Sequence, residues 1–167
     1  MKIKCGTDII EIERIKESIE EMGDKFLERV FTKKEIEYCE SKKNQKYQHY
    51  AARFAAKEAA FKAISWKLKD KYEISWKDIE VENNNQGRPT LKLTGVDLKE
   101  IEDIDISISH CKNYAVAYVT VLSKWDKGDR GKVSHKLYRK MSNFKKSENS
   151  TKKWDTFPLS PLSQKGK

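Results

Sequence analysis

One predicted helix, residues 47–65, carries most of the side chains in this sequence that are suited to chemistry. It contains seven alanines and no Gly or Pro, a composition that strongly favours an α-helix. At about 100° per residue, Arg53 and Lys57 share one stripe of this helix, while Glu58 and Lys62 share another. The remaining surface is largely apolar, and an unpaired charge buried there would be costly. The four charged side chains therefore need partners.

Glu58 and Lys62 allow two interpretations. As a Glu-to-Lys pair at i,i+4 they would stabilise the helix by only about 0.3 kcal/mol at a surface. Alternatively, the carboxylate would bind magnesium, which takes carboxylate oxygens and keeps positions open for substrate phosphates. The lysine would then act as a point cation for phosphate. The spacing leaves both interpretations open.

Asp8 follows Gly6-Thr7 at the end of a predicted first strand. An acid at such a position is commonly a helix N-cap or a first-turn residue. It would also serve as a second magnesium ligand if the fold brought it beside Glu58. Fifty residues separate the two acids, so spacing does not decide between these roles.

Two further segments hold polar residues at predicted turns. Ser109 and His110 end a strand, and Gly87-Arg88-Pro89 follows a run of asparagines. The residue types alone predict turn and hydrogen-bonding roles. The sequence contains no nucleophile elbow, P-loop, dinucleotide-binding fingerprint or HExxH zinc motif.

The elements that must position these residues follow a simple order. A short strand at 3–7 precedes a helical pattern from Ile12 to Phe26, and Thr32–Glu35 has the spacing of a capping box that begins the next helix. After the long helix come four strands, and the last two form a hairpin through residues 110–113. The predicted strands are 78–82, 90–93, 104–108 and 114–122. This order predicts an α+β fold in which an antiparallel sheet packs against a long buried helix.

Charge divides the 167-residue chain into two parts. Residues 123–167 hold 13 Lys+Arg and 4 Asp+Glu of the 35 and 26 in the sequence, so the net charge of +9 resides there and residues 1–122 are neutral. We predict a single folded domain at 1–122 and a basic, weakly ordered extension at 123–167, with a short helix near 134–144. An alternative function is nucleic-acid binding through this extension. The neutral charge of residues 1–122 argues against such binding by the domain itself.

Three well-separated cysteines fit neither a disulfide framework nor a paired zinc site. No apolar run is long enough to span a membrane, and the N-terminus does not resemble a signal peptide. We therefore expect a cytoplasmic protein that does not enter a membrane.

Taken together, the segments resemble one family, the holo-acyl carrier protein synthases, which are the small phosphopantetheinyl transferases of bacterial fatty-acid synthesis. The resemblance covers residues 3–122, and its motifs occur in the family's order. They are GTDIIEIER at 6–14, FTKKEIEY at 31–38, ARFAAKEAAFK at 52–62, DIEVENNNQGRP at 78–89 and ISISHCKNYAV at 106–116.

The resemblance implies an activity and a role for each matching residue. The enzyme would transfer the 4'-phosphopantetheine arm of coenzyme A, with Mg²⁺, to a serine of an acyl carrier protein and release adenosine 3',5'-bisphosphate. Asp8 and Glu58 would bind the magnesium ion, and Lys62 would contact a coenzyme phosphate and assist proton transfer. The base stays open among Glu58, Lys62 with water, and metal-bound water. The remaining implied coenzyme-binding residues are Arg53, Lys57, Gly87, Arg88, Pro89, Ser109 and His110.

The resemblance also implies assembly and docking. The family is typically a homotrimer with active sites between subunits, and it binds its carrier protein through the first helix, here Arg14 with contributions from Met22 and Lys25. A non-catalytic trimeric relative is a further alternative, although the presence of Asp8, Glu58 and Lys62 favours an active enzyme. The sequence departs from the family after the long helix, where SWKLKDKY at 65–72 replaces a Gly-rich loop.

Overall fold

Five β-strands and four α-helices make up most of the part of the chain that the structure describes. The structure is a computed structural model that describes residues 1–68, 70 and 72–124. The predicted weak order of the extension and the helix near 134–144 lie outside the described residues. In the described part, no helix combines the length and the apolar character needed to cross a membrane.

The strands form one three-stranded sheet and one hairpin, and all pairings are antiparallel. The central strand of the sheet is β5, which pairs with β1 on one side and with β4 on the other, while β2 pairs with β3. The strands are β1 (Lys2–Glu11), β2 (Ile79–Asn83), β3 (Pro89–Leu93), β4 (Ile101–His110) and β5 (Tyr114–Ser123). The predicted α+β class and the β4–β5 hairpin are confirmed.

The helices lie between β1 and β2 in the chain. They are α1 (Ile12–Met22), α2 (Asp24–Val30), α3 (Lys33–Glu40) and α4 (Lys46–Ile64), with single 3-10 turns before and after α4 and before β2. The pattern read as one helical run from Ile12 to Phe26 is broken at Gly23, which has a φ of +56° that favours glycine. The capping box at Thr32 and Glu35 is confirmed.

Helix α4 is buried along most of its length between the sheet and the smaller helices, as predicted. Its alanines allow β1 to approach closely, and Gly6 completes the fit. A Cβ atom at Gly6 would lie 2.1 Å from the carbonyl oxygen of Ala59 and 2.8 Å from the amide nitrogen of Ala63. Because no side chain fits there, this glycine sets how near the following residues of β1 come to α4.

Several strand boundaries differ from the sequence prediction, including those of β4, which spans Ile101–His110 rather than residues 104–108. The first strand spans Lys2–Glu11 rather than residues 3–7, because it pairs continuously with β5 from Lys2 opposite Ser123 to Glu11 opposite Tyr114. Strand β5 includes Ser123, one residue beyond the proposed domain end at Leu122. Pairing with a partner strand extends these elements past the point where local sequence preference ends.

Candidate active site

The first group of predicted site residues meets where β1 crosses α4. Asp8 stands in β1 rather than at a helix N-cap, so the capping role considered for it does not occur. The ammonium group of Lys62 donates hydrogen bonds to the Asp8 carboxylate at 2.8 Å and to the carbonyl oxygen of Thr7 at 2.9 Å. The side chains of Lys62 and Asp8 are 47% and 17% exposed, so a ligand in solution reaches this ion pair.

Glu58 belongs to this group because it lies close enough to Asp8 to feel the charge of that carboxylate. Burial, assisted by the negative charge of Asp8, raises the pKa of Glu58 to about 7, although Lys62 opposes the shift. Burial also raises the pKa of Asp8 from its ordinary value, against the opposing effect of Lys62. The fold therefore places the two acids, fifty residues apart in sequence, near enough to interact within one chain. The structure also shows that Lys62 pairs with Asp8 and not with Glu58.

The donor set in this group fits a magnesium ion. Two carboxylates whose ionised forms are disfavoured gain from a nearby divalent cation, which stabilises the ionised form of both. Among the described residues, no cluster of three or more His, Cys, Asp or Glu side chains is present that would enclose a metal completely. Two protein ligands with open remaining positions suit Mg²⁺, which retains water and accepts substrate phosphate oxygens.

A second group lies around the N-terminal half of α4. The Arg53 guanidinium lies 3.8 Å from the ring centroid of Tyr38 and donates a hydrogen bond to the Asn83 side chain at 2.8 Å. Asn83 in turn donates to the carbonyl oxygen of Gly87. This chain of contacts fixes the turn at 84–88 relative to α4.

The turn itself has well-defined backbone geometry. The Asn84 side chain accepts hydrogen bonds from the backbone amides of Gln86 and Arg88, and Gly87 adopts a φ of +80°. Arg88 is exposed and Pro89 begins β3. The predicted turn is thus confirmed, and it presents its residues to solvent beside the Arg53 group.

Ser109 and His110 lie at the exposed end of β4. The imidazole ring of His110 contacts that of His49 on α4 edge to face, with ring centroids 5.9 Å apart. His49 also contacts Tyr38, at a centroid separation of 5.6 Å. The structure therefore joins His110 to the Arg53 group through two aromatic rings that the sequence analysis did not single out.

Lys57 does not line a nucleotide site, and this expectation needs correction. Its side chain is completely buried and forms an ion pair with Glu35 at 2.8 Å, which is also completely buried. The same ammonium group donates to the backbone carbonyl oxygens of Trp76 and Ile79. With three acceptors and no exposed surface, Lys57 has a structural role in the core.

Arg53 was expected to line the nucleotide site, but its side chain is largely buried. Only 4% of the residue is exposed, and its Nε atom is buried without a hydrogen-bond partner. Its outer nitrogen is engaged by Asn83. Arg53 therefore supports the turn and the Tyr38 ring.

The residues predicted to bind a carrier protein do not all lie on the first helix. Arg14 and Met22 belong to α1, and both are exposed. Lys25 belongs to α2, because the helical run breaks at Gly23. The predicted docking surface thus spans two short helices.

Glu35, His49 and Tyr38 are the residues that sequence reasoning missed. Glu35 had a visible signal, but the capping-box pattern explained it completely as the reciprocal cap of Thr32. Its second oxygen accepts from the backbone amide of Val81, a contact between residues 46 positions apart. Local patterns carry no information on such distant contacts.

Comparison with known proteins gives consistent matches. The family model for the 4'-phosphopantetheinyl transferase superfamily matches residues 4–119. A protein of Ruminiclostridium cellulolyticum named holo-[acyl-carrier-protein] synthase is 49% identical over 127 residues, covering 72% of this chain and 92% of its own length. A protein of the same name from Thermodesulfovibrio yellowstonii is 49% identical over 116 residues, with coverages of 70% and 95%.

Solved structures agree with these matches. The structure is similar to a holo-(acyl-carrier-protein) synthase of Bacillus anthracis in complex with CoA (3',5'-ADP), with a TM-score of 0.59 and 39% identity, covering 72% of this chain and 96% of the other. It is also similar to the Helicobacter pylori enzyme in complex with coenzyme A, with a TM-score of 0.62, 32% identity and coverages of 71% and 99%.

Proposed function

Because the chain belongs to the 4'-phosphopantetheinyl transferase superfamily, we propose that Asp8, Glu58 and Lys62 form the catalytic centre of its reaction. That reaction is the transfer of 4'-phosphopantetheine from coenzyme A to apo-acyl carrier protein. The observation that carries the assignment is the meeting of these three residues at an open ion pair between β1 and α4. Phosphoryl transfer depends mainly on positioning and charge stabilisation, for which two acids and a cation are suited.

Asp8 and Glu58 would hold the magnesium ion. When bound, Mg²⁺ neutralises charge on the coenzyme diphosphate and polarises the phosphoryl group. In the free protein, Lys62 forms an ion pair with Asp8. Its exposed ammonium group would turn to a coenzyme phosphate when the carboxylates are neutralised.

In the proposed reaction, the serine hydroxyl of the carrier protein attacks the phosphorus atom joined to the pantetheine arm. A new serine O–P bond forms, and the bond between this phosphorus and the oxygen shared with adenosine 3',5'-bisphosphate breaks. The serine proton would pass to the ionised carboxylate of Glu58 or to water held by Lys62. Lys62 stabilises the charge of the departing bisphosphate.

The coenzyme's nucleotide would bind along the second group of residues. Gly87, Arg88, Pro89, Ser109 and His110 are accessible at the β2–β3 turn and at the end of β4. Arg53 is connected to the turn through hydrogen bonds from Arg53 to Asn83 and from Asn83 to Gly87, and it adds a buried positive charge beneath this surface. Lys57 has no part in this proposal because it is buried in the core.

We further propose that the enzyme is a homotrimer. The sheet face opposite α4 exposes large apolar side chains on neighbouring strands, which is unusual for a monomer. The exposed fractions that support an interface on this face are Ile3 70%, Ile9 65%, Tyr118 48%, Tyr114 43% and Val116 36%. Light scattering with Tyr118→Glu tests this assembly, since a charge on the face would shift the trimer toward monomer. An unchanged mass would show that another surface is used.

Docking of the carrier protein is proposed at α1 and α2. Arg14 and Lys25 supply positive charge, and Met22 supplies an exposed apolar side chain. A cytoplasmic location is proposed on the ground that all three cysteines, Cys5, Cys39 and Cys111, are free thiols, as is usual in a reducing compartment.

The transfer reaction is tested by intact-protein mass spectrometry of an apo-acyl carrier protein incubated with this protein, coenzyme A and Mg²⁺. We expect the carrier protein to gain one phosphopantetheine group, and EDTA to suppress the gain. A gain that persists in EDTA would contradict the role of the metal. No gain with several carrier proteins, from a folded sample, would contradict the activity and favour the non-catalytic alternative.

A further inference from the structure

His49 lies between two rings that come from different parts of the fold. Its imidazole contacts the Tyr38 ring of α3 and the His110 ring of β4, both edge to face, at centroid separations of 5.6 and 5.9 Å. His49 itself belongs to α4 and is only partly buried. It is therefore placed to fix the orientation of the His110 ring at the end of β4.

Two cations, Arg53 and Lys42, are among the groups around His49. The charged and titratable side chains that face it are Tyr38 from α3, Lys42 from the segment after α3, Arg53 from α4 and His110 from β4. Burial, together with Arg53, Lys42 and His110 in decreasing order, lowers the pKa of His49 from its ordinary value. In the free protein, burial and these neighbours therefore favour the neutral form of His49.

These cations are not matched by acids. Arg53 contacts the Tyr38 ring and the neutral side chain of Asn83, and Lys42 lies 4.4 Å from the centroid of Tyr38. Within the described residues, neither cation forms an ion pair with a carboxylate, and no acid contributes to the pKa shift of His49. An anion bound here would therefore not have to displace a carboxylate partner of either cation.

An anion bound at this surface would change the electrostatic environment of His49 in favour of its protonated form. A phosphate group carries one to two negative charges near neutral pH. It would offset the repulsion from Arg53 and Lys42, and an opposite charge within a few ångströms favours the protonated imidazole. Binding of phosphate and binding of a proton to His49 are then thermodynamically linked, so that each promotes the other.

We propose that His49 is a positioning residue of the coenzyme-binding surface, which orients His110 and takes up a proton from solvent when a phosphate group of the nucleotide binds beside Arg53 and His110. This inference rests on the proposed function, which assigns the nucleotide to the same surface. It adds a residue absent from that assignment and makes coenzyme binding dependent on pH.

The direct test follows the imidazole resonances by NMR, with adenosine 3',5'-bisphosphate as the probe and without a metal. The sequence contains only three histidines, so His49→Phe and His110→Phe variants assign the signals. We expect the titration midpoint of His49 to rise on addition of the bisphosphate, by about one pH unit if the phosphate lies in contact. A midpoint that stays in place while the bisphosphate binds would overturn the proposal.

The second test measures how bisphosphate affinity depends on pH in the wild type and in His49→Phe, which keeps a ring for packing but has no titrating nitrogen. We expect the ratio of the variant Kd to the wild-type Kd to be about threefold to tenfold at pH 6 and to fall toward one at pH 8.5. The ratio cancels the titration of the ligand itself. In the transferase assay, the same pH-dependent change should appear in KM for coenzyme A more than in kcat.

The two ideas fail in different ways. A ratio that is constant across this pH range means that His49 affects packing only, and the linkage proposal fails while the proposed function stands. If the wild type neither binds adenosine 3',5'-bisphosphate nor transfers phosphopantetheine at any pH, the nucleotide assignment itself is wrong. A raised His49 midpoint with transfer activity intact supports both.

Discussion

Two lysines five residues apart on α4 form ion pairs of equal length in opposite environments. Lys57 pairs with Glu35 at 2.8 Å with both side chains fully buried, whereas Lys62 pairs with Asp8 at 2.8 Å with exposures of 47% and 17%. The buried lysine also has two carbonyl acceptors, while the open one leaves part of its ammonium group to solvent. The surroundings, and not the pair itself, determine which lysine stabilises the fold and which can meet a ligand.

The buried pair connects three elements. At the start of α3, the Glu35 carboxylate accepts a hydrogen bond from the backbone amide of Thr32, the N-cap residue. It also accepts from the Val81 amide of β2 and forms an ion pair with Lys57 of α4. Burial lowers the pKa of Lys57, and Glu35 opposes that change. A charge in such a position is tolerated because every one of its hydrogen-bonding needs is met.

The largest expected effect comes from the open pair. Asp8→Asn removes a metal ligand and keeps the size of the side chain, so kcat/KM for phosphopantetheine transfer should fall roughly a thousandfold, about 4 kcal/mol in transition-state stabilisation. The circular dichroism spectrum should not change. The matched control is Glu100→Gln, which breaks the Lys67–Glu100 ion pair of 2.9 Å, involves no residue assigned to the site and should keep activity. Activity in Asp8→Asn near the wild-type level would refute the metal assignment.

The next effect acts on stability rather than on catalysis. Lys57→Met leaves the Glu35 carboxylate buried without its cation, and we expect the free energy of unfolding to fall by about 3–5 kcal/mol. Urea denaturation measures this change. The double variant Glu35→Gln with Lys57→Met should recover part of the loss, because the amide needs no counter-charge. Equal losses in the single and double variants would show that packing, and not charge, sets the cost.

A third prediction concerns the pH dependence of the metal-free protein. Glu58 has a pKa of about 7 when folded and 4.5 as the ordinary value expected when unfolded. Between these values the folded state holds a proton that the unfolded state has released, so the contribution of Glu58 to stability is greatest below pH 4.5 and is lost as pH rises through 7. Raised in the same direction, the pKa of Asp8 adds to this decline.

Glu58→Gln tests this prediction in thermal melts carried out with EDTA from pH 5 to 8. The variant should lose most of the decline, which amounts to no more than about 3 kcal/mol in the wild type. Excess Mg²⁺ should also reduce the decline in the wild type, because the metal stabilises the ionised carboxylates. Parallel pH profiles for the wild type and the variant would contradict the assigned pKa of Glu58.

Much of this architecture follows from local sequence signals. The alanine-rich pattern predicted α4, the Thr32–Glu35 spacing predicted the start of α3, and the turn at Gly87 was apparent from its residues. The meeting of Asp8 with Glu58 had no local signal, since it depends on a Cβ-free residue at Gly6 that lets β1 lie against Ala59. It was anticipated only through resemblance to a family.

The wrong expectation for Lys57 has a related cause. Helical periodicity placed Arg53 and Lys57 on a stripe different from that of Lys62, but it could not show that α3 and β2 cover that stripe. The partner, Glu35, lies in another helix and had already been explained as a cap. Burial of a charge depends on distant elements, and a single sequence does not reveal which of them supplies the counter-charge.

The smallest change in stability is expected for Lys62→Met, and it tests the comparison between the open and the buried lysine most directly. Lys62→Met is the same substitution as Lys57→Met, but it breaks an ion pair that water reaches, so the free energy of unfolding should change by only about 0.5 kcal/mol or less. Transfer activity should nevertheless fall, because the coenzyme phosphate loses its cation. Urea denaturation of both variants, measured with EDTA at one pH, gives the stability difference directly. If Lys62→Met destabilises the protein as much as Lys57→Met, the open pair also supports the fold, and its loss of activity would no longer indicate a catalytic role.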